Sequence, residues 1–183
     1  MPNSTGRETM SFTLYDATVP GFIRVCESTL HAMKLGRDYC RENALNLEDI
    51  LDERLCGDML PFSFQIKSVC THTIGAINGA TEGVFSPIPP MSQPDYTQLE
   101  EMLAVTISEL KALDPSEVNS LGGGDVMFSM KEIKIPFTVE GFFMSFSIPN
   151  MHFHATTAYD ILRMKGVPLG KRVYLGNLDI KQS

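Results

Sequence analysis

Asn150 and His154 are the two side chains of this sequence best placed to do chemistry together. They are four residues apart and follow Pro149 directly, so in a helix both lie on one face. Pro149 has no N–H group and its ring crowds the carbonyl of Ser145, which predicts a kink and a freed backbone acceptor. An amide and an imidazole beside such a kink indicate a candidate binding site.

A second polar set lies earlier in the chain. Asp58, Gln65 and His72 recur at steps of seven residues, and seven residues complete almost two helical turns, so a helix carries all three along one edge. This edge either faces the helix of His154 or is the solvated border of an amphipathic helix. Gln65 favours the first interpretation, because apolar residues flank it on both sides.

The helix that positions Asn150 and His154 is predicted over residues 141–166. Its first half is apolar on all sides, which is typical of a helix enclosed by the rest of a helical protein. Gly166 is a suitable C-terminal cap and Pro168 prevents continuation. The residues after Pro168 are predicted to form an extended tail.

Three further helices are predicted from apolar residues at helical spacing. The third begins with a capping box that pairs either Asp95 with Gln98 or Thr97 with Glu100. The predicted helices run from about Asp16 to about Asn43, from an N-cap at Asp58 to near Gly83, and from the capping box to Pro115.

Alternating apolar residues over 126–139 predict a β-hairpin between the third and fourth helices. Pro136 makes its second strand an edge strand, because proline cannot donate to a neighbouring strand. The proline-dense segment over residues 83–94 predicts an ordered crossing loop or a flexible linker. The glycines of 122–124 are not followed by Lys-Ser or Lys-Thr, so they do not indicate a phosphate-binding loop.

Composition narrows the class of protein. The chain has 183 residues, 43% of them hydrophobic, and a formal charge of -7, which favours one globular domain and argues against a nucleic-acid partner. We expect a flexible lead over 1–13, a domain over 14–176 and a tail over 177–183. The absence of a signal sequence or a membrane span in the sequence predicts a cytoplasmic protein with no membrane partner. The four cysteines are predicted to be buried hydrophobic residues.

Three stretches carry a family resemblance. They are TLYDATVP at 13–20, DMLP at 58–61 and PNMHFHATTAYDILRMKGVPLGKRVYLG at 149–176. With these stretches the chain resembles an uncharacterised family of the DinB-like superfamily, over nearly its whole length. The resemblance implies an all-α four-helix bundle with up-down-down-up topology and a long crossover between helices two and three, here with the small hairpin added. It also implies a homodimer, which the 11 Phe and 11 Met residues support.

Members of the superfamily that bind a divalent metal use one histidine on helix two and an HxxxH pair on the last helix. The resemblance places His154 on the second histidine of that pair, Asn150 on the first and Gln65 near the histidine of helix two. Zinc and nickel bind neutral amide oxygens less well than imidazole nitrogens. A zinc or nickel cofactor therefore stays one possibility among others.

Three functions remain open from the sequence. The first is a small-molecule binding protein or enzyme with a pocket beside the Pro149 kink, where Gln65, Asn150, His154 and Tyr159 supply the polar contacts. The second is a metal-dependent hydrolase or thiol transferase of the DinB-like type. In the third, a buried hydrogen-bond network only fixes helix register. The candidate metal ligands of the second are His154, Asn150, Gln65, His72 and Asp58.

Overall fold

Helices make up most of the protein, and a small three-stranded sheet accompanies them. The computed structural model describes residues 12–86 and 93–181. The helices are α1 (Leu14–Glu42), α2 (Phe62–Thr71), α3 (Ile74–Glu82), α4 (Tyr96–Ala112), α5 (Pro115–Ser120), α6 (Val139–Gly141), α7 (Ile148–Met164) and α8 (Lys171–Leu175). A π-helix (Phe142–Ser147) joins α6 to α7, a 3-10 turn spans Leu47–Ile50, and the strands are β1 (Val84–Phe85), β2 (Asp125–Met130) and β3 (Ile133–Thr138).

Capping boxes begin two of the long helices. Thr13 caps α1 through reciprocal hydrogen bonds with Asp16, so α1 begins slightly earlier than predicted. Asp95 and Gln98 form the capping box of α4, which selects the first of the two predicted pairs. In each box a side chain satisfies an N–H group that the first helical turn leaves without a partner.

The prediction that Asp58 caps the second helix is wrong. Asp58 is exposed in the loop before α2, and α2 begins at Phe62. The first N–H groups of α2 are instead satisfied by backbone carbonyls, with Phe62 donating to Glu53 and Ser63 donating to Leu51. A side-chain cap is unnecessary where backbone acceptors already occupy the helix end.

The second predicted helix is also interrupted, between α2 and α3. Thr73 leaves the helical conformation (φ -115°, ψ -93°), and its hydroxyl donates to the carbonyls of Val69 and Cys70. A threonine hydroxyl bonded to the preceding turn competes with regular helical hydrogen bonding. The carbonyl of His72 at this break accepts a hydrogen bond from Ser147 Oγ, at 3.0 Å.

The kink predicted at Pro149 takes the form of a π-helix in the preceding turn. Ile148 N–H donates to the carbonyl of Phe143, five residues earlier. The wider turn places an irregularity directly before the residue that cannot donate a hydrogen bond. Ser147, the last residue of the π-helix, is fully buried and faces the break between α2 and α3.

The predicted hairpin is confirmed as β2 and β3, which pair antiparallel with Val126 opposite Phe137. The strand order β1-β2-β3 leaves β3, with Pro136, at an edge as predicted. The parallel strand β1 was not predicted, because two residues are too few for a periodic pattern. It follows Gly83, whose carbonyl accepts from Met127 N–H at 2.9 Å.

α1, α2, α4 and α7 supply much of the core, and buried residues of α3, the strands and the π-helix complete it. α1 contacts α4 and α7, and α2 contacts the same two helices. Cys26, Cys40 and Cys70 are buried, but Cys56 lies exposed in the loop before α2, so the prediction of four buried cysteines is wrong for that residue.

The C-terminal segment contains one more helix than predicted. Residues 171–175 form α8, which packs on α1, where an extended tail was expected. Five residues do not establish a helical period, so the sequence contained no signal for it.

Residues 87–92 of the proline-dense segment lie outside the described residues, so the structure describes only the two ends of the predicted crossing loop. Within residues 12–86 and 93–181, none of the helices combines the length and apolar character needed to span a membrane.

Gly166 ends the long C-terminal helix region as predicted, and it should tolerate no side chain. Its φ is +93°, and a Cβ there would lie 2.6 Å from Tyr39 Oη. Gly166→Ala should lower the free energy of unfolding by about 1–2 kcal/mol or more, since the left-handed backbone and the contact both oppose it. Gly170→Ala is the matched control, because φ is -115° and a Cβ there would meet nothing within 4 Å. Urea unfolding measures both, and equal destabilisation of the two variants would contradict the assignment.

Candidate functional site

Gln65 and His154 meet between α2 and α7. Gln65 is buried, and its Oε1 lies 2.7 Å from His154 Nδ1. The other end of the same amide, Nε2, donates to the carbonyl of Leu60 at 2.7 Å. A carbonyl only accepts hydrogen bonds, so this contact fixes which end of the amide is nitrogen. Gln65 Oε1 therefore accepts, and Nδ1 of His154 carries the hydrogen.

This hydrogen bond sets the tautomer of His154. With the hydrogen on Nδ1, the neutral ring keeps an unprotonated lone pair on Nε2. Nε2 of His154 has no hydrogen-bond partner among the described residues, nor is it one of their fully buried unpartnered atoms. It therefore keeps some exposure to solvent. Gln65 acts as a positioning residue and His154 as the residue that presents an acceptor.

His72 lies against His154 at the break between α2 and α3. The ring centroids are 5.8 Å apart and the ring planes differ by 15°. His72 is only 8% exposed, and its Nδ1 has no hydrogen-bond partner among the described residues. Such a group is costly to bury, by about 1–3 kcal/mol, so its presence marks this site as unusual within the core.

Burial lowers the pKa of both imidazoles. The pKa of His154 falls to about 4 through desolvation of the charged form. The pKa of His72 also falls to about 4, first through desolvation and then through its proximity to His154. Because a low-dielectric surrounding disfavours the charged ring, both histidines are neutral at pH 7.

Aromatic side chains surround the two imidazoles. Phe64 and Phe153 present edge-to-face contacts to His154, with centroid distances of 5.9 and 5.3 Å. Phe153 is 56% exposed, so the aromatic surroundings of His154 extend to the protein surface. Phe85 and Phe146 pack against His72 at 5.5 and 5.6 Å. The side chains beside the Pro149 kink are thus packed rings around a small polar centre.

The remaining predicted site residues lie apart from this cluster or point elsewhere. Asn150 Nδ2 donates to the carbonyl of Phe146, in its own helix, at 2.7 Å. Tyr159 donates to the carbonyl of Leu169 at 3.2 Å and packs on Tyr174. Asp58 is exposed in the loop before α2. Of the six predicted residues, Gln65 and His72 each contact His154, whereas the side chains of Asn150 and Tyr159 are bonded to backbone carbonyls.

These contacts do not build the three-imidazole set of a divalent metal site. Among the described residues there is no group of three or more His, Cys, Asp or Glu side chains arranged to hold a metal ion. Both ends of the Gln65 amide are engaged by protein atoms, and the amide nitrogen of Asn150 is bonded to its own helix. His154 is neutral at pH 7, and its Nε2 is bonded to no atom of the described residues.

Some contributors to the site were not found from the sequence. Phe64 and Phe153 each neighbour a predicted residue in the chain, and this adjacency was an available signal. Ser147 and Phe85 gave none, because their contacts with His72 depend on the π-helix and on β1, which have no periodic pattern.

Two cavities lie away from these histidines. A cavity of about 10 Å³ lies between α1, α2 and α7 and includes Tyr159 and Tyr174. A cleft of about 750 Å³ lies between α1 and the C-terminal segment.

The sequence from residue 14 to residue 175 matches the family described as a domain of unknown function, DUF1993. The chain belongs to this family. This DUF1993 protein is also similar to a crystal structure of a DinB family member protein from Shewanella denitrificans, with a TM-score of 0.77 and 23% identity. That likeness covers 93% of this chain and 96% of the other, and it supports the DinB-like fold alone. No curated protein matches the chain.

The buried histidines should make the stability of this protein depend on pH. In the unfolded chain His72 has its ordinary pKa of 6.5, whereas the folded value is about 4. As pH falls from 7 to 5 the unfolded state binds the proton and the folded state does not, so the free energy of unfolding decreases. In His72→Phe this decrease should be smaller, because one of the two buried bases is gone.

Urea unfolding of both proteins at pH 7 and pH 5 measures the effect. The carboxylates whose pKa hydrogen bonds hold low, such as Asp16 and Asp114, add the same pH dependence to both proteins, and the comparison removes it. An equal loss of stability in wild type and variant would contradict the assignment of His72 as a buried neutral base.

Proposed function

We propose that this DUF1993 protein binds a small uncharged molecule that donates a hydrogen bond to Nε2 of His154. One observation carries the proposal. Gln65 holds the hydrogen of His154 on Nδ1, so the open nitrogen is a fixed acceptor. A preorganised acceptor beside apolar rings is the usual composition of a small-molecule site, where few polar groups set the orientation of the ligand.

The lowered pKa of His154 favours binding over proton abstraction. A base with a pKa of about 4 stays unprotonated at pH 7 but has little driving force to take a proton from a ligand. It can accept a hydrogen bond from a hydroxyl, thiol or amine-type N–H group. We therefore infer a binding site whose chemistry, if any, requires a further group from the ligand.

The surroundings of His154 favour an apolar ligand body. Phe64 and Phe153 flank the ring, and burial alone lowers its pKa, without a neighbouring charge. An ionic ligand would lose hydration here without gaining a counter-charge, and this costs several kcal/mol. An aromatic ring with one donor group fits these requirements.

The DinB-like resemblance supports a second candidate, a divalent-metal site at the same histidine. A metal-binding imidazole commonly donates its other N–H group to an oxygen that fixes its orientation, and Gln65 accepts from His154 in this way. The donor set described above is too small for a site held by three protein ligands, so we derive no reaction through a metal. The third possibility, a network that only fixes helix register, rests on the same hydrogen bond.

We also infer that α1, α2 with α3, α4, and α7 are the four helices of an up-down-down-up bundle. The contacts of α1 and α2 with both α4 and α7 support this arrangement, and so does the DinB-like neighbour. The homodimer and the cytoplasmic location stay predictions.

The binding proposal is tested by titrating the full chain with phenol and, separately, with anisole. The two probes share a ring, but anisole has no hydrogen-bond donor. Phenol should shift the NMR signals of the His154 ring and bind about tenfold more tightly than anisole, the equivalent of one hydrogen bond. His154→Phe should abolish the difference between the two probes, and Ser108→Phe, which places the same ring at an exposed position of α4, should preserve it.

Equal affinity of phenol and anisole for the wild-type protein would contradict the proposal. Elemental analysis of protein purified without an affinity tag distinguishes the metal candidate. A stoichiometric divalent ion that is lost in His154→Phe would favour that candidate and overturn the uncharged-ligand site.

A further inference from the structure

The cleft between α1 and the C-terminal segment is separate from the histidine cluster. It has a volume of about 750 Å³, within the range of sites that hold drug-sized molecules. Its walls come from α1, from α8 and from the chain that follows α8. None of the residues assigned to the proposed function lines it.

Two contacts hold the C-terminal wall of the cleft in place. Tyr174 of α8 is bonded to α7, since Thr156 donates to its hydroxyl at 2.9 Å and His152 Nδ1 lies 3.1 Å away. Gly176 lies directly on α1, with φ +64°, and a Cβ there would overlap the hydroxyl of Ser28. Any larger residue would push the following chain off α1, so this glycine keeps the cleft in shape.

The charges in the cleft are positive in a protein with a formal charge of -7. Lys171 and Arg172 both line it and are exposed. Neither forms an ion pair with any residue in the described ranges. Glu27 also lines the cleft, but its carboxylate lies 2.6 Å from Lys111 Nζ, which neutralises it. The cleft therefore offers two unpaired cations to a ligand.

Apolar side chains also line the cleft. Leu175, Leu178 and Ile180 line it and are 40%, 54% and 73% exposed. A ligand that covers apolar side chains removes them from water, and this stabilises the complex. A molecule with an anionic head and an aliphatic chain would satisfy both the cations and the apolar side chains of this cleft.

We propose that this cleft binds an aliphatic carboxylate, with its head group at Lys171 and Arg172 and its chain along Leu175, Leu178 and Ile180. In the bound state the carboxylate contacts the side chains of Lys171 and Arg172 in place of water. The aliphatic chain of the ligand covers apolar side chains that are otherwise exposed in the described part of the protein. This site is independent of the one proposed at His154.

Calorimetric titration of the full chain with octanoate tests the proposal, with octanol as the neutral probe of equal chain length. The double change Lys171→Gln and Arg172→Gln should weaken octanoate binding at least tenfold and leave octanol binding within about twofold, since exposed charges near a head group act on the anion only. Leu178→Ser should weaken both probes. The matched control is Lys131→Gln with Lys134→Gln, two exposed lysines of the hairpin, which should leave both affinities unchanged.

His154→Phe should also leave octanoate binding unchanged, which separates this site from the proposed function. No octanoate binding below its micelle-forming concentration would overturn the proposal. So would equal weakening by the hairpin variant and by the change at Lys171 and Arg172, because the effect would then reflect net charge and not the cleft.

Discussion

The hydrogen bond from Ser147 to the carbonyl of His72 joins the two places where long helices of this protein lose their regularity. One is the break that Thr73 introduces between α2 and α3, and the other is the π-helix before Pro149. Each irregularity frees backbone groups that must find partners inside the protein. The hydroxyl of Ser147, from the π-helix, satisfies one of these groups, the carbonyl of His72 at the break. The position of His72 depends on this contact.

The chemistry of the site follows from this placement. His72 is enclosed by Phe85, Phe146 and the ring of His154, so neither imidazole is charged at pH 7. Gln65 then decides which nitrogen of His154 remains free. A polar centre of neutral rings in an aromatic surrounding differs from the three-imidazole metal set implied by the superfamily resemblance. Its polar side chains nevertheless come from α2, with the residue that follows it, and from α7, the two helices that the resemblance implies.

Helical phase and the family resemblance together predicted that Gln65 would lie on the side of α2 that faces His154. The seven-residue step also placed His72 on that side, but it could not predict the break at Thr73, which depends on a hydroxyl bonding to the preceding turn. Asn150 shares a helical face with His154, yet its amide satisfies the carbonyl of Phe146. The partner of the Asn150 side chain is thus a backbone carbonyl near Pro149, which helical periodicity does not predict.

The tautomer and charge of His154 test the account most directly. Nitrogen NMR of the imidazole in folded protein at pH 7 distinguishes a protonated from an unprotonated ring nitrogen. The account predicts a neutral ring with hydrogen on Nδ1 and none on Nε2, and loss of this preference in Gln65→Leu, which removes the acceptor. A ring that carries its hydrogen on Nε2, or one that is doubly protonated at pH 7, would contradict it.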